Sequence, residues 1–178
     1  MVSPRNAAGF QNLLSKMAQA GLGECYTEEH WSGFEKDSLC QVPRWYRSLL
    51  MSVPLANVIY TVVDPTAYHP PRPPGWTDGC VISKGAHWRD LAGCDCWLRD
   101  EIEPFTAFRE QWFPFATSTS LAGPDFWVVP ADEAAEPVVH AFSGTCWDPD
   151  CNSGTWSTGL HFEDFILSAS ALERAARR

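Results

Sequence analysis

Apolar residues recur along this chain at two periods, and the period changes near its middle. Phe10, Leu13, Leu14 and Met17 repeat at i, i+3, i+4, i+7, one face of an amphipathic helix that Gly21 and Gly23 should close. Thr27 ahead of Glu28 and Glu29 is an N-cap with an acidic first turn, and predicts a short helix carrying Trp31 and Phe34. Pro43 opens a third helix with Tyr46, Leu49, Leu50 and Val53 on its apolar face, and Pro54 stops it. Val58 to Val63 is β-branched except for Tyr60, itself a good strand former, and predicts a strand. Pro65, Pro70, Pro71, Pro73 and Pro74 follow, so residues 64–79 are expected to form an extended surface loop without a regular element. This loop is expected to be an insertion rather than a linker, because the segment before it is too small to hold its own core.

Beyond it the pattern predicts a short strand at Cys80–Ser83 and a turn of helix at His87–Leu91. Ile102, Phe105, Phe108 and Trp112 predict a helix over Asp100–Trp112, with Pro104 in the tolerant first turn. The stretch from Trp112 to Ile166 organises the rest. Trp112–Ala116 should be a strand, and Phe126–Val129 and Pro137–Phe142 a hairpin about the polar residues 131–136. A last helix should carry Phe162, Phe165, Ile166, Ala169 and Leu172 inward, with Glu163 and Asp164 at its start and Arg174, Arg177 and Arg178 at its end, matching the helix dipole. Trp112, Phe115, Phe126, Val128, Phe162 and Phe165 are the expected core. The class is α+β, an antiparallel sheet with N-terminal helices and a C-terminal helix packed against it.

Composition narrows this picture. A chain of 178 residues, 45% hydrophobic and 20% charged, suits one globular domain over residues 1–178. A net charge of −9 argues against a nucleic-acid binder that works through phosphates. The charge is unevenly placed. From Glu110 to Glu173 there are ten Asp or Glu residues and no Lys or Arg, a field that favours a basic partner. No apolar h-region follows Met1, and no apolar run approaches membrane-spanning length, so the expected compartment is the cytoplasm, with its seven cysteines reduced.

Candidate chemistry is sparse. Cys94 and Cys96 with Cys146 and Cys151 have poor zinc spacing. Asp148, Asp150, Asn152 and Gly154 resemble a calcium loop, but the glycine falls one position late and the twelfth position is Gly159. The histidines are scattered, and no phosphate loop or nucleophile elbow occurs. We therefore expect no catalytic residue, metal or cofactor.

Three stretches in order resemble the SUKH superfamily, named partly for the yeast killer-toxin-resistance and cell-wall-synthesis regulators. Val42–Leu50 is similar to its Pro-started front helix, Phe113-Pro114-Phe115-Ala116 to its Pro-Phe-Ala strand, and His161–Leu167 to its closing helix. The hairpin with Trp127 and Pro137-Val138-Val139 lies between the last two. Ser52-Val53-Pro54-Leu55 departs from the family's glycine-rich turn. The resemblance implies helices against an antiparallel sheet. It also implies an immunity protein that binds and blocks a toxin delivered between neighbouring bacterial cells, as bacterial members do. The expected partner is a basic cognate toxin, with no nucleic acid and no membrane. Two acidic loops are the expected contacts: the hairpin turn with Asp132, Glu133 and Glu136, and Thr145–Thr155 with Asp148 and Asp150 flanked by Trp147 and Trp156. The rival expectations are a thiol- or metal-dependent hydrolase and a non-catalytic regulatory binding module.

Overall fold

A computed structural model of the chain describes residues 7–32, 42–63, 77–82, 107–108, 110–119, 126–132, 137–143 and 154–175. Helix α1 spans Ala7–Gln19, and Phe10, Leu13 and Met17 are its buried stripe. Residues 28–32 form a helical turn that begins as its cap residue requires: the Trp31 N–H donates to the Thr27 carbonyl, and the His30 Nδ1 accepts the Thr27 N–H at 3.1 Å. Helix α2 (Arg44–Ser52) follows Pro43, buries Tyr46 and Leu50, and ends ahead of Pro54. Helix α3 is one short element, Phe162–Leu167.

The strands are β1 (Val58–Val63), β2 (Thr77–Ile82), β3 (Trp112–Ser118), β4 (Phe126–Pro130), β5 (Val138–Phe142), β6 (Thr155–His161) and β7 (Ala171–Arg174). They form one sheet in the order β6-β5-β4-β3-β2-β1-β7, with every neighbouring pair antiparallel. The chain is thus an α+β fold, with helices at its N-terminal side and one C-terminal helix. No helix among the described residues is long and apolar enough to cross a membrane.

Side chains alternate between the two faces of a strand, and directly paired residues share a face. One face carries the larger core. Val58, Tyr60, Val62, Cys80, Ile82, Phe113, Phe115, Trp127, Val129, Val139 and Ala141 meet α1, α2 and α3 there. The opposite face carries Trp112, Phe126, Val128 and Phe142, covered by Phe108. All six residues expected in the core are buried, and the Phe115 and Phe165 rings lie 6.2 Å apart.

Pro114 explains a detail of the larger core. Proline has no N–H for the ladder, and the β3–β4 register slips between Pro114 and Ala116, leaving Phe115 as a bulge. Its carbonyl accepts a hydrogen bond from the buried Tyr46 hydroxyl at 2.9 Å. Tyr46 also packs edge-on against Phe113 and Phe162. The helix and strand that resemble the SUKH pattern are therefore tied together by one side chain.

Three expectations need correction. Strand β2 starts at Thr77, inside the segment 64–79 expected to lack regular structure, because the last proline there is Pro74. Strand β6 had no counterpart in the sequence reading. The last helix stops at Leu167 and does not run to the arginines. Ser168 ends it, its N–H donating to the Asp164 carbonyl and its hydroxyl to the Phe165 carbonyl at 2.7 Å. The chain then returns as β7 along β1, with the Ser170 N–H on the Thr61 carbonyl. Arg174 therefore lies on β7, where its guanidinium donates to the Gly21 carbonyl. Ala169 and Leu172 still pack on the core, now from a turn and a strand. Of the helix expected at Asp100–Trp112, residues 107–108 and 110–111 are helical and Trp112 already belongs to β3. Phe34, Ser83, residues 64–76, the turn at His87–Leu91, and Arg177 and Arg178 lie outside the described residues.

Candidate functional site

The strand register brings four acids of the stretch 110–173 to one end of the sheet. Trp112 pairs with Pro130, and Val138 pairs with His161. Val128 pairs with His140, so two residues on Pro130 comes beside Val138 and the four strands β3 to β6 finish on a common row. Two residues beyond that row stand Glu110 before β3, Asp132 after β4 and Glu163 after β6. Asp164 follows in the first turn of α3. Two backbone bonds close the row: Ala131 N–H to the Gln111 carbonyl at 2.9 Å and Phe162 N–H to the Pro137 carbonyl at 3.0 Å. Glu110 and Asp132 are exposed, and Glu163 and Asp164 are half-buried.

The cations of the described residues are carried by other elements: Lys16 on α1, Arg44 and Arg47 on α2, and Arg174 on β7. Arg47 is paired with Glu28. Trp45 stacks edge-on against Phe162 at 5.2 Å, so the start of α2, with Arg44, borders the start of α3. Among the described residues the Glu110–Asp132 side of this end carries acids and no cation, with Arg109 preceding Glu110 in the sequence. Among the described residues no three His, Cys, Asp or Glu side chains converge to hold a metal ion. The acids are spread along a rim, which suits steering of a charged macromolecule better than chelation.

The expected contact residues divide between the two ends of the strands. Asp132 is exposed at the acidic end. Trp156 lies at the other end, on β6, half-buried and on the same face as its partner Ala141. The structure does not bring these two together. Glu133, Glu136, Trp147, Asp148 and Asp150 lie outside the described residues, though the segment 144–153 begins and ends at a closed pair, Ser143 N–H to the Gly154 carbonyl at 2.9 Å. Sequence reasoning missed that Glu110, Glu163 and Asp164 come to the same end of the sheet as Asp132. Their spacing in the chain carries no sign of it without the register of β6.

Strand β6 is an edge and is shaped like one. Between the pairs Val138↔His161 and His140↔Ser157, one residue of β5 faces three of β6. Gly159 takes a positive φ of 70° within this bulge. Ser157 Oγ accepts the Gly159 N–H at 3.1 Å, and Thr158 Oγ1 accepts the Leu160 N–H at 3.1 Å while donating to the Val139 carbonyl at 2.8 Å. Side chains thereby occupy backbone donors that an edge would otherwise offer to another strand.

Two titratable groups are strongly placed. The Cys80 thiol is buried, and burial first and the Asp78 carboxylate second push it well above its ordinary value, so it stays protonated and unreactive. His140 sits one row in from the acidic end with its ring 4.8 Å from Trp112. Burial pushes its imidazole below the ordinary value, opposed by its hydrogen bond with the Val138 carbonyl. A depressed histidine contributes stability that is complete above the unfolded value and is lost as pH falls through the folded value. Urea denaturation should therefore show the wild type losing more stability than His140→Gln between about pH 7.5 and about pH 5.5. Equal losses in the two proteins would contradict this.

No protein-family model matches the chain, and neither a curated protein nor a solved structure does.

Proposed function

We propose that the chain is a SUKH-like immunity protein, acting in the cytoplasm, that binds a basic toxin stoichiometrically and covers its active surface. The observation that carries this reading is the collection of Glu110, Asp132, Glu163 and Asp164 at one end of the sheet, within the stretch 110–173, which has no Lys or Arg. A toxin that attacks nucleic acid or nucleotides presents a basic cleft, and an acidic rim gains fast association and register there. The front-helix, strand and closing-helix stretches support the same reading, since Tyr46, Phe113, Phe115 and Phe162 join them in one aromatic cluster. Co-expression tests it. If the gene beside this one encodes the toxin, as the reading requires, cells producing that product should die without the chain and survive when the chain is present. Death of those cells despite abundant folded chain would refute it.

A further inference from the structure

The seam between β2 and β3 joins β7-β1-β2 to β3-β4-β5-β6, and it is held in an unusual way. Backbone pairing in the described residues runs over Cys80↔Ser118 and Val81↔Thr117. At the other side of the seam stands Asp78, only 3% exposed, on the face that carries the larger core. One carboxylate oxygen accepts the Gly79 N–H at 2.7 Å, and the other accepts the Ser118 hydroxyl at 2.7 Å across the seam. The Thr119 N–H donates to the Gly79 carbonyl at 3.0 Å, so the carboxylate brackets the last backbone bond. Gly79 leaves room for the Thr119 side chain: a Cβ there would stand 2.2 Å from Thr119 Oγ1, so that side chain would have to shift.

We propose that the Asp78 carboxylate is a register lock, and that without it the sheet opens along the β2–β3 seam before it opens anywhere else. A buried carboxylate costs desolvation and is retained only with its hydrogen bonds in place. Here they tie a strand to its own next residue and to its neighbour, which fixes one register of a short pairing. A slip by one residue would move Asp78 off Ser118 and drive a side chain into Thr119.

Amide hydrogen exchange on the purified chain tests this by comparing three sets of amides. Asp78→Ala should speed exchange at Thr119 and the seam about tenfold or more relative to the amides of β1–β2 and β4–β5, the scale of one lost charge-assisted bond. Asp78→Asn keeps an acceptor for Gly79 and a donor for Ser118, and should hold seam exchange close to wild type. Should Asp78→Ala not fold, Ser118→Ala, which removes the cross-strand hydroxyl bond and leaves the Asp78 carboxylate on the Gly79 N–H, should show the same seam-confined acceleration. Acceleration spread evenly over all strands would overturn the lock, as would unchanged seam exchange in Ser118→Ala.

Discussion

Phe165→Ala should lower the stability of the chain by ~3–5 kcal/mol, the range for emptying a well-packed aromatic site. The residue is 1% exposed, and its ring lies 5.0 Å from Trp127 and 6.2 Å from Phe115. It is also one of only three buried side chains on a six-residue helix. So short a helix has little stability of its own and depends on packing of its apolar face. Removing the ring loses the contact and loosens α3 together. Chemical denaturation measures the effect, and the melting temperature should fall on the order of 10 °C. A loss below about 1 kcal/mol would mean that α3 is held by something other than this core.

Charge reversal at the acidic end should have the largest functional effect. Glu110→Lys with Asp132→Lys changes two exposed residues on neighbouring strand ends. Folding should change little, since substitutions of this kind usually fall within about 0.5 kcal/mol each. Association with a basic toxin should slow roughly tenfold or more at low salt, and protection of toxin-producing cells should fail. Circular dichroism and melting establish folding before the protection assay. A folded double variant that protects like the wild type would remove this end as the interface. Asp148→Lys with Asp150→Lys, carried through the same assay, tests the segment that leaves the other end of the strands.

Legibility in the sequence followed how each element is stabilised. Helices α1 and α2 and strand β1 carry their own signal, because caps, prolines and a continuous apolar face are local. The expected hairpin appears as β4 and β5 for the same reason. The two edge strands were not legible. Thr155–His161 exposes much of its surface and contains a bulge at Gly159, so alternation is absent. Ala171–Arg174 buries little except through Leu172, and helix and strand both carry Leu172 inward. Only pairing with β1, more than a hundred residues earlier, decides between them. The acid field was legible as composition, but its gathering at one end was not. That depends on four strands finishing on one row, which no local pattern encodes. Asp78 was invisible for a similar reason: its partner Ser118 lies on another strand forty residues on.

Titration of the purified chain into the product of the gene beside its own, the toxin of the proposed reading, followed by calorimetry and by that product's residual activity, tests the central claim most directly. Stoichiometric binding predicts that toxin activity falls linearly to zero at one equivalent and that association weakens as salt is raised, because the attraction between an acidic rim and a basic cleft is screened. Neutralisation by far less than one equivalent, or no binding by a folded chain, would contradict it.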